Sequence, residues 1–331
     1  MLRLQGVEKS YLYGAKALDD LSFSIDTEER ISLLGVSGSG KTTLIKTIAG
    51  IVTPEKGRIY LDGRDITDLP PKFRSVKVVY DREGLFNRRT VAYNLEYPLK
   101  IRKYPKKERK IAMLGAAEKY GFPAVTDDYV FRQDDETKLR IALSRLDLYQ
   151  SSLTLLDNPF SVLTGERRTA VFVELLPKIV SAVKTALFAT DSLEEAFSFA
   201  DNALFLHEGK IVDSGNLKHF IHDPMSLYSD TYVNEDRNFI EVPTDDGGID
   251  FYGKKIDIDN APQAVTVSFT LIPGEQGIER SGNIVYGSFG KHFYRTFDGI
   301  NLTENTGKFL PDFDSIRIFS SVDGNRLTFK F

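Results

Sequence analysis

The 331-residue chain contains no cysteine. That excludes disulfides, thiolate metal sites and a cysteine nucleophile. No stretch approaches the ~18 consecutive apolar residues that a membrane-spanning helix needs, so any association with a membrane has to run through a partner. The opening "MLRLQGVEKSYLYG" has no apolar core of the kind a secretory leader carries, and the expectation is a cytosolic location. A basic excess is missing too. The net charge is −4, which gives no reason to expect nucleic acid as a partner. Neither internal repeats nor low-complexity segments occur.

What remains is ordinary globular material. Hydrophobic residues make up 41% and charged residues 27%, a balance that suits a folded chain long enough for two cores. Residues 1–30 alternate apolar and polar positions, as "MLRLQGVEKSYLY" and "ALDDLSFSID" show, and read as antiparallel strands. "RISLLG" reads as a buried strand that runs into a glycine-rich turn and the apolar helix "KTTLIKTIAGI". From about 105 to 240 helices such as "KKERKIAMLGAAEKYG" and "GERRTAVFVELLPKIVSAV" alternate with strands such as "SLTLLD" and "TALFAT". That alternation predicts an α/β layered domain with a mostly parallel sheet. After about 237 helical periodicity stops. Short runs such as "AVTVSFTLI", "GNIVYGSFG" and "RLTFKF" lie between Gly, Asp, Asn and Pro. The expectation is a first domain at 1–237 and a β-rich barrel or sandwich domain at 238–331.

"GVSGSGKT", from Gly35 to Thr42, fits G-x-x-x-x-G-K-[ST] and lies between an expected strand and an expected helix. Gly35, Gly38 and Gly40 let the backbone wrap close to phosphate oxygens, and the amides around Ser37 point inward at the positive end of the helix. Lys41 is expected at the β- and γ-phosphates, and Thr42 at Mg²⁺, with Thr43 beside it at the nucleotide. Asp157 ends a hydrophobic strand and is the natural carboxylate behind the magnesium.

The stretch "GVSGSGKTTLIKTIAGIVTPEKGRIYLDGRDITDLPPKFR" resembles the start of an ABC-transporter ATPase subunit, of the importer type found in maltose and polyamine systems. The likeness is strong over about 1–75 and 186–225, eroded over 76–185 and faint after 240. It implies an α/β P-loop NTPase domain with an N-terminal antiparallel β subdomain and a helical subdomain, followed by an all-β, TOBE-like domain. It also implies ATP and Mg²⁺ as cofactors, a head-to-tail homo- or heterodimer with another ABC ATPase chain, and transmembrane permease subunits. The protein would then sit in the cytoplasm, peripheral on the inner face of the membrane. An aromatic near the N-terminus is implied to stack on adenine, either Tyr13 or Tyr11, although both also suit a half-buried strand position. Phe86, Tyr93 and Tyr97 lie where the family docks onto its membrane subunits, and they also read as core aromatics.

Several positions depart from the family pattern. Asp81 in "VVYDREGLF" stands where a glutamine is expected, and its carboxylate could still hold magnesium. The signature that offers amides to a partner's nucleotide is replaced by "QDDET", Gln133 to Thr137. Two unit charges ~4 Å apart interact by about 4 kcal/mol at an effective dielectric near 20. Carboxylates facing a triphosphate therefore cost more than the roughly 1 kcal/mol a helix dipole returns. Asp134 or Asp135 reads more simply as the cap of the helix "ETKLRIALSRL". Asn158 replaces the glutamate that takes a proton from water, and an amide cannot do so at neutral pH. Asp191 replaces the switch histidine, and Thr164 replaces an aspartate of the dimer contact. With Asn158, Asp191 and Asp81 at the catalytic positions, no intact catalytic set is expected.

Two readings follow. One is a transport-coupled ATPase subunit that binds Mg-ATP with hydrolysis weak or lost. The other is a non-hydrolysing nucleotide-binding scaffold or regulatory subunit. The basic run "KIRKYPKKERK" reads as a solvated helix face. His219 and His222 lack a third ligand for zinc. A P-loop kinase or GTPase is a weak third reading, since "ALDDLSFSI" and "GRIYLDGRDIT" are ABC-type and no guanine-reading N-K-x-D string occurs.

Overall fold

The structure, a computed structural model, describes all residues except 12–15, 81–83, 123–125, 149–150, 218–219, 221–222, 235–237, 246, 252–253, 270, 274–278, 282–283, 290–291, 298–308, 312–315 and 331. Packing divides the chain into two units, Met1–Leu217 and Lys218–Phe331.

The first unit carries ten strands among its described residues: β1 (Leu2–Ser10), β2 (Lys16–Ile25), β3 (Arg30–Leu34), β4 (Lys56–Leu61), β5 (Arg64–Asp65), β6 (Val76–Tyr80), β7 (Leu153–Asp157), β8 (Ala186–Ala189), β9 (Asn202–His207) and β10 (Lys210–Asn216). An antiparallel sheet has the order β2-β1-β4-β5. A six-stranded sheet has the order β10-β9-β3-β8-β7-β6 and is parallel except at the β9/β10 edge. Strands buried on both faces read as continuous apolar runs, and β7 and β8 are buried at every position. Their side chains alternate between two cores, as the two-residue period of a strand requires. Leu155 and Leu187 join the core that also holds Leu33, Leu44 and Ile48. Leu156 and Phe188 join the core on the other side with Leu95, Leu139 and Phe160.

Helix α1 (Lys41–Ile48) follows β3 and buries Leu44, Ile45 and Ile48. Its last carbonyls are taken by Arg74, whose Nη1 donates to Thr47 O at 2.9 Å and Ile48 O at 2.7 Å. The same guanidinium donates to Leu69 O and Thr67 O, both at 2.7 Å. One buried side chain thus closes a helix end that would otherwise leave carbonyls unpaired. Helices α2 (Val91–Ile101), α3 (Lys106–Tyr120) and α4 (Asp135–Leu148) interrupt the sheet between β6 and β7. Helix α5 (Gly165–Ala182) connects β7 to β8, and α6 (Leu193–Phe199) connects β8 to β9.

In the second unit, α7 (Leu227–Val233) precedes small antiparallel sheets. One is built from Asn238–Pro243, Ala264–Phe269, Arg317–Ser320 and Arg326–Leu327. The unit's core holds Ile256, Val265, Val267 and Ile318. The packing boundary lies ahead of the expected 237, and α7 gives the reason. Its Asp230 is fully buried, accepts from Ser268 Oγ at 2.6 Å and pairs with Arg317, which ties the helix to two strands of this unit. Among the described residues after 238 every regular element is a strand.

Lys77 on β6 is 4% exposed and donates to Leu146 O near the end of α4 at 2.8 Å. Burial pushes its ammonium down from 10.5 to about 8, with Asp147 working against that fall. Between those two values the unfolded chain keeps a proton that the folded chain has released. Stability from this group therefore rises with pH across that window. Lys77→Met is expected to flatten the rise, measured as urea midpoints from pH 8 to 10.5.

Candidate functional site

Ligands of open α/β sheets sit beyond the carboxyl ends of the parallel strands. Three loops meet at that edge here, after β3, β7 and β8. Their meeting is fixed by backbone bonds: Thr190 N–H donates to Leu33 O at 3.2 Å and Asn158 N–H to Ala189 O at 2.8 Å.

The loop after β3 has the backbone that its glycines allow. Gly35 and Gly40 adopt φ of 152° and 110°. A side chain at Gly35 would put its Cβ 2.2 Å from Leu206 O, and one at Gly40 would put it 2.4 Å from Ala17 O. Gly38 also has positive φ, at 84°, and Ser37 and Gly38 are exposed. Gly40 is the N-cap of α1, and no side chain caps that end and no acidic residue sits in its first turn. The open amides and the positive helix end suit an anion. Ser39 Oγ is buried, with no hydrogen-bond partner among the described residues.

Lys41 is 8% exposed and its Nζ donates to Gly35 O at 2.5 Å and Val36 O at 3.0 Å. Burial lowers its pKa, and the charges of Asp191 and Asp157 pull it back upward. Thr42 Oγ1 donates to Asp157 Oδ1 at 3.1 Å, so a hydroxyl and a carboxylate converge as a magnesium-bound phosphate would require. Thr43 is half-buried on the next position of α1. The open helix end, Lys41, the unpartnered Ser39 hydroxyl and the Thr42–Asp157 pair together fit a magnesium-bound nucleotide.

Asn158 follows Asp157 in the left-handed region, at φ 44° and ψ 48°, a conformation asparagine tolerates better than most residues. Its Oδ1 accepts from Arg168 Nη2 at 3.3 Å. The same Nη2 donates to Asp191 Oδ1 at 2.8 Å, while Nε donates to Glu195 Oε1 at 2.7 Å. Glu195 Oε2 also accepts from Thr190 Oγ1 at 2.6 Å. Burial works against the charge of Arg168, but Glu195 and Asp191 hold it protonated even more firmly than usual. For Asp191, burial pushes the carboxyl up, and Arg168 and Asn158 more than offset it, leaving it below the usual range. Two of the three expected catalytic positions, Asn158 and Asp191, are thus joined through one guanidinium. Arg168, Glu195 and Thr190 were absent from the sequence expectations. The signal available for Glu195 was the S-x-x-E pattern from Ser192, whose hydroxyl accepts from Glu195 N at 3.3 Å.

At "QDDET" the cap is Asp134: its Oδ1 accepts from Thr137 N at 2.7 Å, which holds its carboxyl below the usual range. Glu136 turns back onto its own chain, pairing with Arg140 at 2.9 Å and Arg167 at 2.5 Å. Thr164 is the N-cap residue of α5 and its side chain makes no cap bond. Phe86, Tyr93 and Tyr97 form one cluster with ring centroids 4.7–5.9 Å apart. Phe86 is exposed and the two tyrosines are half-buried. Tyr11 is half exposed, with Lys9 Nζ 6.0 Å from its ring centroid. Tyr13, Asp81, His219 and His222 lie outside the described residues.

The ABC transporter family profile matches residues 18–161. A molybdate/tungstate import ATP-binding protein of Thermococcus kodakarensis is 34% identical over 228 residues, which cover 68% of this chain and 68% of that protein. The chain belongs to the ABC transporter ATP-binding family. A second molybdate/tungstate import ATP-binding protein, from Pyrococcus horikoshii, is 32% identical over 68% of this ABC chain. A spermidine/putrescine import ATP-binding protein from Oleidesulfovibrio alaskensis is 31% identical over 71% of it. The matches span 65% and 63% of those two relatives' own lengths. Among solved structures, a dimeric ATP-binding cassette in a post-hydrolysis state with ADP and phosphate aligns at TM-score 0.58 and 24% identity, over 66% of this ABC chain and 99% of that one. The cbiO1 subunit from Clostridium perfringens, part of the cbiONQ ABC transporter complex, aligns at 0.57 and 23% over 66% of this chain and 89% of its own. These two likenesses establish the ABC ATPase fold of the P-loop NTPase class.

Glu195 is 4% exposed at its side chain and Arg168 is 22% exposed. Removing one partner of such a pair leaves a buried charge uncompensated, at about 3–5 kcal/mol. Arg168→Met is expected to destabilise the first unit by that amount. Arg168→Met with Glu195→Gln is expected to recover part of the loss, read as a double-mutant cycle in urea.

Proposed function

We propose that this chain is the ATP-binding subunit of an ABC import complex whose own turnover is weak or lost. Mg-ATP would be bound by Gly35, Ser37, Gly38, Gly40, Lys41, Thr42 and Thr43, with Tyr13 on the adenine. Thr42, Asp157 and Asp81 would face the metal, which neutralises phosphate charge when bound. The import setting is carried over from the relatives named for molybdate/tungstate and polyamine import. In that setting the chain pairs head to tail with a second ABC ATPase chain, identical or different, on the cytoplasmic side of permease subunits. The Phe86–Tyr93–Tyr97 cluster suits docking onto those permeases. Buried Asn94 braces its loop by accepting from Phe86 N at 2.7 Å and donating to Thr90 O at 3.0 Å. The second unit would serve as a TOBE-like regulatory domain. No nucleic-acid role is proposed.

The observation that carries the loss of turnover is the guanidinium of Arg168 held jointly by Asn158 and Asp191. An amide and an ion pair occupy the edge where a base and a switch histidine would work, and removing a general base costs 10²–10⁴-fold. A second reading, a non-hydrolysing scaffold or regulatory subunit, is favoured by the carboxylate cap of Asp134. With that cap, the start of α4 offers a partner's nucleotide a negative group.

The test is steady-state ATP turnover by the full chain with Mg²⁺, beside Lys41→Ala and beside the double substitution Asn158→Glu with Asp191→His. We expect no turnover above the Lys41→Ala background in the unaltered chain, MgATP protecting its fold but not that of Lys41→Ala, and a gain in the double variant. Turnover of ordinary ABC size that Lys41→Ala abolishes would overturn the loss of hydrolysis.

A further inference from the structure

Asp191 belongs to the loop that leaves β8, one residue beyond Thr190, whose N–H donates to Leu33 O two residues ahead of Gly35. Its side chain is 45% exposed. It pairs with Arg168 at 2.8 Å, and its charge, with that of Asp157, acts on Lys41. Asn158 supplies a further neutral oxygen to Arg168 at 3.3 Å. A carboxylate of this chain is therefore paired with one cation at this edge and lends negative charge near the other. Burial pushes the Asp191 carboxyl up, but Arg168 and Asn158 together keep it ionised at neutral pH.

The features that suit the phosphates nearer the sugar are of another kind. They are the uncapped amides of α1, the Ser39 hydroxyl and the Thr42–Asp157 pair. A third phosphate would have to approach a fixed like charge in a partly desolvated edge, where Coulomb terms are several times larger than in water.

We propose that Asp191, held by Arg168 on the loop that is tied to the strand ahead of Gly35, acts as a built-in substitute for a terminal phosphate, so that the site prefers nucleoside diphosphates to triphosphates. This rests on the nucleotide-binding reading above and adds which nucleotide is favoured. Occupancy then answers to the ratio of the two nucleotides rather than to the triphosphate alone.

The experiment is equilibrium titration of the full chain with MgADP and with MgATP, for the unaltered protein, Asp191→Asn, and Asp191→Ser as a second variant should the first fold poorly. The unaltered chain is expected to bind MgADP about tenfold or more tightly than MgATP. Either variant is expected to bring the two within about threefold, through a gain in MgATP affinity with MgADP little changed. A merely structural role for Asp191 would weaken both nucleotides together, which would overturn the proposal. So would an unaltered chain that binds MgATP as tightly as MgADP, or a ratio that the variants leave unmoved. If the unaltered chain binds neither nucleotide, the nucleotide-binding reading itself falls, and this proposal with it.

Discussion

The guanidinium of Arg168 has to find acceptors in a place where only 22% of its side chain is open to solvent. A planar fork with several donors in fixed directions suits carboxylates better than scattered carbonyls. It finds Glu195 along Nε and Asp191 and Asn158 along Nη2. Each acceptor comes from a different part of the edge: the loop after β7, the loop after β8, and the first turn of α6. The relative placement of these pieces is therefore an electrostatic matter as well as one of sheet register.

That constraint works together with the hydrophobic frame. Strands β7 and β8 send alternate side chains into two cores, so neither can slip by one residue without turning both faces inside out. Their carboxyl ends are then fixed to within one register position, and the loops that follow start from known points. Arg74 does a similar service at the far end of α1, where it gathers carbonyls from the helix and from the chain between 67 and 69. The phosphate loop is therefore held from the strand in front and from the helix behind. A loop that must keep glycine in unusual backbone geometry benefits from such bracing, since it has little side-chain packing of its own.

Much of this was readable before any coordinates. The buried strands, the glycine loop and α1 follow from local pattern, because period, turn chemistry and helix starts are short-range properties. Asp134 as a cap was one of two readings, and the choice between Asp134 and Asp135 needed the helix start to be seen. Arg168 was not readable, because its acceptors lie 10, 23 and 27 residues away along the chain. Nothing in a helix beginning "GERR" says which arginine turns inward. Lys77 was hidden for a related reason. A lysine in an apolar strand reads as an outward residue, and only the packing of α4 buries it. The unit boundary moved ahead because Asp230 finds partners at 268 and 317, again far along the sequence.

The shared guanidinium also shapes the routes by which such a site could change in evolution. A glutamate introduced at 158 alone would join Asp191 and Glu195 around Arg168, and crowded like charges are costly in a partly buried edge. A histidine at 191 alone would surrender the ion pair while leaving the amide at 158 unable to take a proton. The effect of a change at one position thus depends on the residue at the other, which is epistasis carried by a shared ion. A substitution at 158 or at 191 therefore has to be accommodated by the same guanidinium, so changes at these positions are expected in concert rather than singly.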